Sequence, residues 1–181
     1  MKNLLIVGGA VRNVGKTALT ERILKKFGKR YCIISLKIKT IYPNDAFFHG
    51  RDRNPLSKNE KYRISEKSFL NSEGDSERML KAGAEKSFMI KSKADFLKDA
   101  FNEFVAKTDK NCLIICESNS LRSVIKPSLY LFIKPENSEE MKPSAEKLIG
   151  YADKIILTDG KKHDIDIESL YIENNVWCIK D

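Results

Sequence analysis

No apolar run in this chain approaches the length a bilayer-spanning helix requires, and no apolar leader-like segment follows Met1. A cytoplasmic protein without membrane contact is therefore expected. Histidine is scarce: His49 and His163 stand far apart, without ligand spacing to each other or to a cysteine, which argues against an imidazole-based metal centre. The four cysteines, Cys32, Cys112, Cys116 and Cys178, lie inside apolar runs with no CxxC spacing. Free, buried thiols are expected, and a zinc site is not. Nothing marks a second domain in the 181 residues, so 1–181 is expected to form one domain. Charge is not lacking, since 33 Lys and Arg against 25 Asp and Glu leave a formal net charge of +8. Because the cations are spread among acids along helix faces, this balance suits a small polyanionic ligand better than nucleic acid.

Seven short apolar runs read as strands: Leu4 to Val7, Tyr31 to Leu36, Ser87 to Ile90, Cys112 to Cys116, Leu129 to Ile133, Lys154 to Leu157 and Val176 to Ile179. Most are continuously apolar and alternate with helical patterns, as in a parallel sheet covered on both faces. Leu19, Ile23, Leu24 and Phe27 recur at helical spacing, and that helix is expected to end near Gly28. A second helix is read from Ala94 to Phe104 and a third from Pro143, a good first-turn residue. Trp177, in the terminal apolar run, is expected in the core or at an oligomer contact. The stretch 41–72 is polar and weakly periodic, which marks an insertion, a lid or a binding loop that short edge strands could interrupt.

Between the first strand and the first helix lies AVRNVGKT, Ala10 to Thr17. A strand, a tight loop with Gly-Lys-Thr and a helix start form the pattern of a phosphate-binding loop, or P-loop. Backbone N–H groups from Arg12, Asn13, Val14 and Gly15 through Lys16, Thr17 and Ala18 can converge on a β-phosphate. Lys16 would add a mobile cation between the β- and γ-phosphates, and the Thr17 hydroxyl would coordinate Mg²⁺. Gly15 leaves room where a Cβ would crowd the phosphate. The expected architecture is an α/β three-layer sandwich of the P-loop NTPase type with a mostly parallel central sheet.

In such a sheet, ligands bind at the carboxyl ends of the strands. Glu117 ends the run Asn-Cys-Leu-Ile-Ile-Cys and is a candidate to hold Mg²⁺ or to orient the attacking nucleophile, the alternative being a cap for the turn Ser118-Asn119-Ser120. Lys37, and more weakly Lys39, follow the second strand as site cations or as solvated strand-end residues. Asp75 and Arg78, three apart at a predicted helix start, could read one end of a substrate or act as a cap and a surface cation. No Asn-Lys-x-Asp is present to read a guanine base, and Asp159 after the sixth apolar run is the best remaining carboxylate, unless it only makes an Asp-Gly turn with Gly160.

The segments LLIVGGAVRNVGKTALTERIL, IISLKIK, GDSERMLKAGA, LIICESN and SAEKLIGYADKIILTDG together resemble the MobB family, GTP-binding P-loop proteins associated with molybdopterin guanine dinucleotide biosynthesis. The resemblance implies a dimer that binds GTP with Mg²⁺, hydrolyses it slowly and assists a molybdopterin guanylyltransferase. It also implies phosphate and Mg²⁺ roles for Lys16 and Thr17, a central motif at Asp75 and Arg78, and an acid at Glu117. This chain departs from the family with Arg12 and Asn13 inside the loop, Lys37-Ile38-Lys39 in place of a Lys-His pair, and Glu117-Ser118-Asn119 in place of Glu-Gly. The alternative is a small-molecule kinase or NTPase of another cofactor pathway, with ATP as the other candidate nucleotide. Arg51, Arg53, Lys58, Lys61 and Arg63 would then be acceptor-site cations.

Overall fold

The computed structural model describes residues 1–43, 54–67 and 74–180. Nine strands are found among them: β1 Leu4–Gly9, β2 Ile33–Ile41, β3 Tyr62–Lys67, β4 Lys86–Lys93, β5 Leu113–Glu117, β6 Leu129–Pro135, β7 Lys154–Thr158, β8 Leu170–Glu173 and β9 Val176–Ile179. The helices are α1 Lys16–Phe27, α2 Asp75–Lys81, α3 Leu97–Lys107, α4 Ser120–Val124 and α5 Pro143–Ile149. Seven strands form one sheet in the order β3-β4-β2-β5-β1-β6-β7, parallel throughout except for the antiparallel edge strand β3. The protein is thus an α/β fold with a mostly parallel central sheet flanked by helices.

The chain runs outward from β1 to β2 and β4 with α1 and α2 on one face, then returns through β5, β6 and β7 with α3, α4 and α5 on the other. Right-handed crossovers in opposite directions require opposite faces. Alternate strand residues consequently feed two cores. Leu5, Val7, Ile33 and Ile115 meet Leu19, Ile23 and Phe27 of α1, whereas Leu4, Ile6, Ile34 and Ile114 meet Phe101 and Phe104 of α3. Burying such side chains contributes roughly 1.5–3 kcal/mol each, which explains why the strands are apolar on both sides. The apolar stripe read from Ala94 belongs to a 3₁₀ turn, Ala94–Phe96, followed by α3.

β8 escaped the sequence reading, and β3 is one of the short edge strands for which the 41–72 stretch left room. β3 is only half-buried along its length and carries Arg63, Glu66 and Lys67, so it lacks the apolar signal of its neighbours. It lies inside the 41–72 stretch; the parts of that stretch at 44–53 and 68–72, with His49, Arg51 and Arg53, are outside the described residues. β8 pairs with β9 across Asn174 and Asn175, both at positive φ (49° and 60°), the geometry of a tight hairpin turn. This hairpin packs on the α1 face, where Trp177 is 1 % exposed and meets Phe27 edge-on at 5.6 Å. Trp177 is a core residue. Lys26 fastens the approach by donating to the carbonyls of Ile167 (2.7 Å) and Leu170 (3.0 Å).

The cysteine expectation fails for two of the four. Cys32 and Cys112 form a disulfide, their Cα atoms 4.7 Å apart, and Cys32 is exposed. They precede the paired positions Ile33 and Leu113 at the starts of β2 and β5, so strand pairing itself brings them together. Cys116 is free and buried as expected, and Cys178 is free and half-buried. Among the described residues no helix is long and apolar enough to cross a membrane.

Candidate functional site

β1 and β5 are neighbours in the sheet, yet α1 leaves β1 toward one face and α4 leaves β5 toward the other. The carboxyl ends of two such strands open a crevice between the diverging connections. A cleft of about 650 Å³ lies there, lined among others by Arg12, Asn13, Gly15, Lys16, Thr17, Ala18, Lys37, Asp75, Arg78, Glu117 and Lys142. The volume is that of a small-molecule site.

The loop after β1 is held from both sides. Ala10 donates its N–H to Ile133 O (2.8 Å) and accepts from Lys142 N–H (3.1 Å), while its methyl is fully buried. Asn119 grips the preceding residue, accepting from Gly9 N–H (2.8 Å) and donating to Gly9 O (2.9 Å). A Cβ at Gly9 would overlap Val14, and one at Gly8 would lie 2.8 Å from the Tyr130 ring, so the Gly-Gly pair is a packing requirement as much as a flexible one. Asn13 (φ 57°) and Gly15 (φ 95°) are both at positive φ on either side of Val14. Asparagine tolerates that conformation better than other residues with a Cβ. Val14 contributes backbone to the loop, but its side chain goes to the core. α1 begins at Lys16 without a side-chain cap, so the helix start presents its N–H groups to the cleft.

The charged groups follow from strand register. Val7, Glu117 and Lys37 occupy one row across β1, β5 and β2, so all three side chains face α1 and α2. Glu117, 7 % exposed, accepts from Thr17 Oγ1 at 3.0 Å. Its burial raises its pKa, an effect opposed by Lys37, the Thr17 hydrogen bond and Lys16 and reinforced by Asp75. Lys16 is shifted downward, chiefly by burial, with Glu117 and Asp75 pulling the other way. Lys37 is ion-paired with Asp75 at the first position of α2. Lys39 shares the strand face with Lys37 but does not line the cleft.

Asp75 does stand with Arg78, but its closer partner is Lys37, and it lies in the same cleft as Lys16 and Thr17. Arg78 makes its two short hydrogen bonds, both 2.8 Å, to Glu21 of α1 and stands 3.7 Å from Asp75. The Glu21 hydrogen bond raises the Arg78 pKa. Asp159 is not brought to the cleft. Its Oδ1 accepts from the N–H groups of Lys161 (2.7 Å) and Lys162 (2.6 Å), and Gly160 is at φ 90°, so the Asp-Gly turn is what forms.

The turn places His163 against the loop, where a Cβ on Gly15 would meet its Nε2 at 2.7 Å. That nitrogen is buried without a hydrogen-bond partner, and burial lowers the ring pKa. Neither His163, Asn119 nor Lys142 stood out in the sequence. Asn119 and Lys142 do follow strands that end at the cleft, which is the signal that could have drawn attention to them.

The oxygen donors Thr17 Oγ1 and Glu117 Oε2 suit a hard cation such as Mg²⁺, which takes few protein ligands and completes its shell with water and phosphate. Among the described residues no cluster of three or more His, Cys, Asp or Glu could hold a metal by itself. No family model matches the chain, and neither a curated protein nor a solved structure matches it.

Proposed function

We propose that the chain is a P-loop protein that binds a nucleoside triphosphate with Mg²⁺, built as one three-layer domain. The observation that carries this reading is the meeting of Lys16, Thr17 and Glu117 at the ends of the adjacent strands β1 and β5, beside a loop with two left-handed residues. In it, the inward N–H groups of residues 13–18 hold the β-phosphate and Lys16 neutralises the phosphate chain. Thr17 and Glu117 hold Mg²⁺, which supplies charge neutralisation for the phosphates when bound. A buried carboxylate within reach of that point also orients a water or an acceptor hydroxyl.

The nucleotide we propose is GTP, and the role that of an accessory factor with slow hydrolysis, working as a homodimer beside a molybdopterin guanylyltransferase. The motifs resembling the MobB family support this part. A second reading, a small-molecule kinase, is favoured by one observation: the cleft is also lined by Ile38, Thr40, Tyr42, Ser118 and Ser120, side chains outside the loop and its charged groups that could meet an acceptor. Identification of nucleotide released from the purified protein, then hydrolysis with and without acceptors, separates the two. Absence of Lys16-dependent binding of GTP, GDP and ATP removes both.

A further inference from the structure

A second, smaller cavity lies on the core side of the cleft, between the sheet and the helices α1 and α2. Four hydroxyl side chains line it, one from each of four elements: Thr20 of α1, Ser35 of β2, Ser76 of α2 and Ser87 of β4. Their convergence follows from strand register. Ile115, Ser35 and Ser87 occupy one row across β5, β2 and β4, and the next row on the same face is Glu117, Lys37 and Met89. Thr20 follows Thr17 by about one helical turn and so faces the same rows. The cavity therefore sits behind the row of Glu117 and Lys37, and it shares Lys37, Asp75 and Glu117 with the cleft.

Thr20 and Ser35 are 1 % and 3 % exposed, and neither hydroxyl has a hydrogen-bond partner among the described residues. Two unpaired hydroxyls lining one cavity destabilise a fold unless a ligand there satisfies them. The cavity measures about 10 Å³, the room of a single water molecule. Charge selects the same ligand. Lys37 opposes a cation in that space and the carboxylates of Glu117 and Asp75 oppose an anion, whereas water accepts from a hydroxyl and donates to a carboxylate.

We propose that this cavity is the site of one fixed water molecule, held by the hydroxyls of Thr20 and Ser35 and donating to Glu117, which makes Thr20 and Ser35 positioning residues for that carboxylate. Glu117 Oε2 accepts from Thr17, and the carboxylate keeps lone pairs for a second donor from the core side. The groups that face Glu117 are Lys16 and Thr17 from the start of α1, Lys37 from β2, and Asp75 and Arg78 from α2. Changing Thr20 or Ser35 leaves all of them in place. A donor from the core side favours the ionised carboxylate against the upward push of burial, so its loss raises the Glu117 pKa.

The full chain without nucleotide serves for the test, so its outcome is independent of the proposed phosphate site. Oxygen-17 relaxation dispersion of water counts long-lived internal molecules, and carboxyl ¹³C NMR follows Glu117, its signal assigned by its loss in Glu117→Gln. Thr20→Val combined with Ser35→Ala removes both hydroxyls and keeps the side-chain shapes close to the original. In this double variant the dispersion amplitude should fall by that of one water and the melting temperature should fall. The Glu117 midpoint should rise by about half a pH unit or more, the scale of one lost hydrogen bond to the charged form. Thr20→Ser, which keeps the hydroxyl, should retain the dispersion amplitude and the midpoint. An unchanged amplitude overturns the water site, as does a higher melting temperature in the double variant, since removing a buried hydroxyl that has no partner stabilises. An unchanged midpoint overturns the positioning role. If the double variant does not fold, Ser35→Ala alone carries the same three readouts.

Discussion

Thr17 Oγ1 donates to Glu117 Oε2 at 3.0 Å, joining the start of α1 to the end of β5 across 100 residues. Both oxygens are the hard donors the proposed Mg²⁺ requires. Thr17→Ala is expected to weaken nucleotide binding in the presence of Mg²⁺ several-fold more than in EDTA. Titration under both conditions measures this, and equal losses would count against a metal role for Thr17.

Glu117→Gln keeps the shape of the side chain and removes its charge. Nucleoside diphosphate affinity should hold within a few-fold, while single-turnover hydrolysis or transfer falls about 10²-fold or more, the usual scale for loss of a positioned acid–base group. An unchanged single-turnover rate at saturating triphosphate would reassign Glu117 to the turn that follows it.

The downward shift of Lys16 has a consequence for pH. Bringing a polyanion beside Lys16 favours its charged form, so binding takes up a proton whenever part of the free protein has lost it. Affinity is therefore expected to be level at low pH and to fall as pH rises through the lowered pKa of Lys16, below its ordinary 10.5. Lys142, lowered for related reasons, adds to the same slope. Calorimetry in buffers of different ionisation enthalpy reports the uptake directly, and proton release on binding would contradict it.

Gly15→Ala meets two obstacles: a φ of 95° and the His163 ring, 2.7 Å from the added carbon. The dihedral alone costs about 1–2 kcal/mol. A fall in melting temperature together with loss of phosphate binding is expected, and His163→Ala in the same background should recover stability but not the dihedral cost. Full stability of the single variant would show that the loop is not held in this shape.

The Cys32–Cys112 bridge closes a sequence separation of 80 residues at the ends of β2 and β5 remote from the cleft. Thiol titration of the denatured, unreduced protein should count two free thiols. Reduction, or Cys112→Ser, should lower stability by up to about 4 kcal/mol, the loop-entropy scale for a ring of this size. Four reactive thiols would leave the cysteines unpaired.

β1, the loop and α1 were legible in sequence because each is specified locally. An apolar run makes a buried strand, a glycine before Lys16 permits a left-handed turn, and apolar residues at helical spacing place α1 on the sheet. The start of α2 at Asp75 was legible for the same reason. Gly83 follows α2, and a Cβ on Gly28 would overlap its carbonyl. β3 was legible only as room for a short edge strand, since an edge strand that is half-buried needs no apolar run.

The membership of the site was decided only in three dimensions. Lys37 is the partner of Asp75 because the register of β2 on β5 sets it beside Glu117 and beneath α2. Asn119 clamps Gly9 from 110 residues away, and Cys32 finds Cys112, through the same pairing of β5 with its two neighbours. Sequence spacing carries local conformation, whereas which strand ends lie side by side is a property of the hydrogen-bonded order of the whole sheet. That order puts Lys142 across the cleft from Glu117 and leaves Asp159 in its own turn.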